Sequence, residues 1–451
     1  MRPYRIGAGA GYAGDRIDPA VDLAERGQLD ALVFECLAER TIALAQLRRR
    51  ADPAQGFDPL LAARLRAVLP ACLAHGTTVI TNMGAANPLA AGHAALAVAR
   101  ELKLPRLHVA VVLGDDVLGW VQRHDAPLLD SPDTVRSLDG RLISANAYLG
   151  ADALLPALQA KADLVITGRV ADPSLFLAPL MHHFGWAADD WALLGKGLAV
   201  GHLLECAAQV SGGYLADPGR VDVPDLHRVG FPLAEVQADG HAVITKLPRT
   251  GGRVDRLSCT AQLLYEVEDP TTYLQADVTG DFSQVRLNEL GGDRVQVDGA
   301  SGRERPRQLK VSLGHTDGFI GEGQISYAGP GARARGELAL EILRHRLADT
   351  NLQPSLAGCE HRAELIGVNA MHGAALGADR DPYEVRVRLA VRCATRAQAE
   401  RVGQEVEALY LNGPAAGGGV TQSVREVVAV ASTLIPREAV QPRVEILEWH
   451  A

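Results

Sequence analysis

Again and again between Ile6 and Asp172 a short apolar or β-branched run stops on a polar cluster, and a helix-forming stretch follows. The first case spans residues 6–40. A strand runs into Gly9, Gly11 and Gly14, Asp18 and Pro19 suit the N-cap and first position of a helix, and Gly27 suits its end. Residues 31–34 (ALVF) then form an unbroken apolar run of strand length, as a parallel strand buried on both faces requires, and Glu35 follows directly. Residues 77–81 (TTVIT), 108–113 and 164–167 repeat the pattern, with Pro88 and Pro173 opening helices behind the third and fifth runs. Strands alternating with helices predict an α/β fold with a mainly parallel N-terminal sheet flanked by helices.

In open parallel sheets, ligands bind outside the carboxyl ends of the strands. Those ends here carry Asp15 and Arg16, Glu35 and Glu39, Asn82 and Asn87, Asp115 and Asp116, and Arg169 and Asp172. A parallel sheet would place them on one rim. Polar loop residues also cap helices, and Asp18, Asn87 and Asp172, each at or just before a proline-opened helix, fit that role at least as well. Glu35, Asp115 and Arg169 are poorly explained by capping, so they are the residues expected to approach one another.

Gly9, Gly11 and Gly14 also satisfy G-x-G-x-x-G, which opens an alternative as an NAD-linked oxidoreductase. In a dinucleotide fold the helix begins within the glycines so that its amides meet the pyrophosphate, whereas Asp15 to Asp18 intervene here. A site loop in which glycine lets backbone approach a ligand, with Asp15 and Arg16 reaching in, is the favoured reading, beside that of a simple turn.

A chain of 451 residues with 47% hydrophobic composition can bury a large core and divide into two or three domains. Its net charge of −9 and the absence of a basic stripe argue against nucleic-acid binding. Six scattered cysteines without C-x-x-C spacing indicate neither a zinc site nor a disulfide framework, which suits a reducing cytoplasm. No signal-peptide pattern opens the chain and no apolar run reaches membrane-spanning length, so a cytoplasmic protein away from membranes, assembled as a homo-oligomer, is expected. A helix over residues 196–209 carries His202, Glu205 and Cys206 on one face. H-x-x-E spacing can hold a metal or serve acid–base chemistry, but a packed histidine explains a single copy more readily.

Near residue 220 the texture changes. Residues 242–247, 257–267, 285–290, 294–297 and 308–314 are separated by Gly and Asp turns and predict antiparallel strands. Helices are expected over 332–347 and 396–411, and residues 384–393 (EVRVRLAVRC) alternate as a half-exposed strand does. The division predicted is an α/β domain over 1–215 that carries the site and an α+β C-terminal half over 216–451, with a β-α-β layer at 360–451. The glycine-rich stretch 417–419 lacks the Lys-Ser/Thr of a P-loop and reads as a turn.

The stretches GAGAGYAGDRIDPA, FECLAERT, TNMGAANPLAA, GDDVL, ITGRVADPSLFLAPL, QLLYEVEDP and NGPAAGGGVTQSVREVVAVAS together resemble the acyclic terpene utilization (AtuA-like) family of bacterial proteins along almost the entire chain. The resemblance implies a role in breakdown of citronellol- and geraniol-type compounds, with a lyase step on a hydroxylated, branched acyl-CoA. Longer relatives carry an additional C-terminal region, which implies that a separate small protein subunit supplies it here. The expected function is thus a carbon–carbon lyase or hydratase acting on a hydroxy acid or hydroxyacyl-CoA, with CoA as part of the substrate; a non-catalytic scaffold subunit is the other alternative. Glu35 and Asp115 are the acid/base candidates, and Arg16 and Arg169 would pair a substrate carboxylate. Asn82 and the backbone of residues 84–87 would hold an oxyanion, and a divalent metal on Asp115, Asp116 or Glu35 would do the same electrostatic work.

Overall fold

The apolar runs of the first half become the centre of a ten-stranded sheet. A computed structural model describes residues 2–376 and 381–451 of the chain. In it β1 (Tyr4–Ala10), β2 (Ala31–Phe34), β3 (Thr78–Thr81), β6 (Leu164–Thr167) and β4 (Arg106–Leu113) pair parallel in that order. The strand β5 (Leu142–Ala147) stands outside this row and pairs antiparallel with residues 311–315. Register sets the carboxyl ends level: Phe34 lies opposite Thr81, Thr81 opposite Ile166, and Ile166 opposite Val111. The residues that follow, Glu35 and Asn82 among them, therefore emerge side by side. Side chains such as Ile6, Val33, Phe34, Ile80 and Ile166 are fully buried, each worth roughly 1.5–3 kcal/mol of transfer free energy.

Residues beyond 215 extend this same sheet. β7 (Pro232–Val236) pairs antiparallel with β1, β8 (Ala242–Lys246) with β7, and Arg294–Asp298 and Arg286–Glu289 complete that side. At the opposite edge Arg443–His450 runs antiparallel to β4, with Arg443 opposite Leu113. The boundary expected at 215/216 therefore falls inside one sheet, because the free backbone edge of β1 is filled by later strands. The two compact units are residues up to His315 together with Val430–Ala451, and Thr316–Ala429. The β-α-β layer expected over 360–451 ends before the chain does: the strand Gly418–Pro436 joins the same five-stranded sheet as Glu384–Cys393, whereas Arg443–His450 belongs to the ten-stranded one.

The second unit is built on Glu384–Cys393, whose Val385, Val387, Leu389, Val391 and Cys393 are buried while its arginines take the other face. His361–Ile366 and residues 319–328 flank it, both antiparallel. The helices Ala332–Ala348 and Arg396–Glu407 pack on it.

Two local expectations need correcting. Residues 257–267 do not form a strand: Arg256–Leu263 is a helix, started by a capping box in which Asp255 and Ser258 exchange side-chain and backbone hydrogen bonds. Asp18 is not a cap either, for the helix Asp18–Arg26 begins with it, Ile17 takes the cap position, and the Asp18 carboxylate pairs with Arg16. Among the described residues no helix is long and apolar enough to cross a membrane.

Candidate active site

At the carboxyl ends of the parallel strands the first unit encloses a cavity of about 970 Å³. Its wall includes Gly11 and Tyr12 after β1, Glu35 and Glu39 after β2, Asp172 after β6, and Glu205 and Cys206 at the end of the helix Trp191–Glu205. Tyr148, Glu266, Tyr273, Arg307 and Lys310 close it from later parts of the chain.

The glycine loop is packed rather than open. A Cβ on Gly11 would sit 2.4 Å from the backbone carbon of Cys206, so only glycine lets the loop lie against that turn. Asp15 Oδ2 accepts from the Gly11 amide at 2.9 Å, and the fully buried Arg64 donates to the carbonyls of Ala13 (3.0 Å) and Asp15 (3.1 Å). The following helix opens only at Asp18, beyond the glycines, so no helix N-terminus meets the loop as a dinucleotide site demands. Arg16, expected to reach in, instead donates to Asp18 and to the His227 carbonyl and does not line the cavity.

Glu35 is buried on the cavity wall, where its Oε1 accepts from the Leu37 amide at 2.8 Å and from Asn82 Nδ2 at 2.9 Å. Asn82 in turn accepts from the Cys36 amide at 2.7 Å, so it orients Glu35 and does not line the cavity. Burial first, and then the Asp172 carboxylate, push the Glu35 carboxyl up to about 8, against the pull of Arg169, the Leu37 amide and Asn82. At neutral pH it is chiefly a neutral acid, able to donate a proton. Glu39, at the start of the helix Glu39–Ala51, behaves oppositely. Burial disfavours its charge, but the Tyr148 hydroxyl, its own amide, Lys310 and Arg169 outweigh this and hold it at about 2. One carboxyl is thus a proton donor and its near neighbour in sequence a fixed anion.

Arg169 lies 1% exposed, its guanidinium 4.3 Å over the ring of Tyr148. Its donors go to the Leu37 carbonyl, to the Val170 carbonyl through Nε (3.1 Å) and Nη2 (2.7 Å), and to Asp172. The fork expected to grip a substrate carboxylate is therefore spent within the protein, tying the loops after β2 and β6 together. Asp172 faces the cavity about a third exposed, and its carboxyl is raised by burial against the pull of Arg169. Asp115 accepts from the Arg169 amide and from Asn146, each at 2.9 Å. It is raised to about 6, mostly by burial, and supports Arg169 from behind without lining the cavity.

The remaining candidates divide. Asn87 caps the helix Pro88–Glu101 and donates to the carbonyls of Pro53 and Gln55, a structural role. Asp116 is half exposed, receives the Leu118 amide and lies away from the cavity. His202 is buried behind Glu205, with Nδ1 2.9 Å from Glu205 Oε1. Among the described residues no group of three or more His, Cys, Asp or Glu side chains is placed to hold a metal ion. Asp115, Asp116 and Glu35, the residues on which a divalent metal was expected, accept from Asn146, the Leu118 amide and Asn82 respectively.

Tyr148, Lys310 and Glu266 line the cavity without any mark in the sequence, and Glu205 is marked only by its place in H-x-x-E. The spacing of Glu205 to His202 was the available signal. No curated protein and no solved structure matches the chain. The profile of the acyclic terpene utilisation family protein AtuA matches residues 4–446, nearly the whole length. The chain therefore belongs to the acyclic terpene utilisation family, which implies a catabolic role.

Proposed function

We propose that the protein is a lyase or hydratase acting on a hydroxy acid or its CoA thioester, and that Glu35 is its acid. The observation that carries this reading is a buried carboxyl, hydrogen-bonded to an amide and an asparagine and pushed up by burial, on the wall of a large cavity at the strand ends. Splitting a 3-hydroxyacyl compound leaves an enolate that needs a proton at carbon, and dehydrating it requires a proton on the departing hydroxyl. Either step takes a proton from an acid that holds it at pH 7, and Glu35 is held in that state. The carboxylate or phosphate end of such a substrate finds its cations in Arg307 and Lys310, which line the cavity and are exposed. Lys310 already pairs with Glu39 at 3.2 Å, which leaves Arg307 as the freer partner.

The test is turnover on a panel of 3-hydroxyacyl-CoA thioesters branched at C3 and the matching free acids, followed by appearance of the carbonyl or unsaturated product. Glu35→Gln keeps shape and both hydrogen bonds in outline but removes the proton, so kcat should fall by roughly two to four orders of magnitude in a folded protein. Wild-type turnover in Glu35→Gln would remove Glu35 from the chemistry.

A further inference from the structure

We infer that Glu205 and His202 form a one-proton relay that serves as the base of the same site, Glu205 touching the substrate and His202 storing its proton; this rests on the reaction proposed above. The geometry fixes the ring. His202 Nε2 lies 3.2 Å from the Leu263 carbonyl, which can only accept, so Nε2 carries the hydrogen and Nδ1 offers a lone pair. That lone pair faces Glu205 Oε1 at 2.9 Å. Two acceptors cannot stand so close without a proton between them, so the pair holds one, either as carboxylic acid on imidazole or as carboxylate on imidazolium.

The surroundings choose the first form. Phe282 and Tyr273 place their rings 5.9 and 5.2 Å from the imidazole, and Gln262 donates to the His202 carbonyl at 2.8 Å. Burial lowers His202 to about 4, while burial and then Asp172 and Glu266 raise Glu205 well above its usual range, with Arg169 pulling the other way. The Tyr273 hydroxyl, 3.4 Å from Nδ1, is the weaker contender for the same lone pair.

Glu205 lines the cavity, yet its Oε2 is buried without any hydrogen-bond partner. A buried oxygen left unmatched costs stability unless a ligand's donor meets it, and a hydroxyl of the substrate supplies such a donor. In carbon–carbon cleavage the substrate hydroxyl gives its proton to Oε2 while the proton on Oε1 passes to Nδ1. The carbon–carbon bond breaks, its electron pair moves into the enolate, and Glu35 protonates that carbon. His202 ends as imidazolium and Glu35 as carboxylate, and proton exchange with solvent restores both.

The test combines nitrogen-15 NMR of histidine-labelled enzyme, with His202 assigned by its loss in His202→Phe, and kinetics on the branched 3-hydroxyacyl-CoA panel. At pH 7 His202 should show a protonated Nε2 and a bare Nδ1, and take up a second proton only near pH 4. An imidazolium at pH 7 would make the pair an ordinary ion pair and overturn the relay. Glu205→Gln, whose amide can still donate to Nδ1, should stay folded and lose roughly two to four orders of magnitude in kcat with little change in KM. His202→Phe should lose a comparable factor and should not be rescued by raising the pH. A Glu205→Gln enzyme at wild-type rate, beside an inactive Glu35→Gln enzyme, overturns the relay alone. A wild type that turns over none of the probes overturns the reaction, and the relay as its base goes with it.

Discussion

The buried carboxylates of the second unit and two carboxyls of the cavity, Glu35 and Glu205, are treated in opposite ways. In the second unit each has an arginine: Arg388 donates to Glu322 at 2.6 Å and Glu364 at 2.7 Å, and Glu405 receives Arg346 at 2.8 Å. The hydrogen bond from Arg388 holds Glu322 below the usual range. Around the cavity Glu35 meets an amide and an asparagine, Glu205 meets the His202 imidazole, and the buried guanidinium of Arg169 is divided between carbonyls and Asp172. Charge in the second unit is neutralised by pairing, which holds strands together. At Glu35 and Glu205 burial instead favours protonation, which stores protons where a ligand can reach them.

The comparison breaks most clearly at Glu35, where Glu35→Gln should cost roughly two to four orders of magnitude in turnover and nothing comparable in folding. Arg388→Met should do the reverse. Leaving Glu322 without this cation, and Glu364 with Arg362 alone, should cost about 1–3 kcal/mol, less than a fully buried pair because the guanidinium is a quarter exposed. Urea unfolding, with hydrogen exchange read in the strand Glu384–Cys393, measures it. An unchanged midpoint would mean that pairing in that sheet is decorative.

A further effect lies in pH. Glu35 is raised from 4.5 to about 8, so between those values the folded state holds a proton that the unfolded chain releases, and stability falls as pH rises. The slope is at most about 1.4 kcal/mol per pH unit for one proton. Glu35→Gln should flatten the decline in urea midpoint over that window, while contributions of Asp115 and Asp277 remain in both proteins. Parallel curves for the two proteins would contradict the shift. The smallest expected effect is at Asn87, where Asn87→Ala should lose a cap worth about 1 kcal/mol. No loss of stability would return Asn87 to the ligand-binding candidates.

Much of this frame was legible in the sequence. Unbroken apolar runs such as residues 31–34 and 164–167 are buried strands, and the polar residues after them do gather. What a run cannot reveal is where a side chain turns after leaving the sheet. Arg169, Asn82 and Asp115 turned inward to hold loops, Arg16 and Asp116 turned away, and Glu35, Glu39 and Asp172 reached the cavity. Tyr148 and Glu266 lie in a loop and a turn, and Lys310 is on a strand that the sequence marks only as sheet, so nothing local marks them as site residues. The strand expected at 257–267 from its flanking turn residues failed because a two-residue capping box starts a helix there.

The central claim is that the Glu35 carboxyl is neutral at physiological pH inside the cavity. Infrared difference spectroscopy of wild type against Glu35→Gln isolates the C=O band of its protonated form and follows that band with pH. The account predicts a band present at pH 7 that fades with a midpoint near 8. A midpoint near the ordinary glutamate value of about 4.3 would contradict it and leave the cavity without its acid.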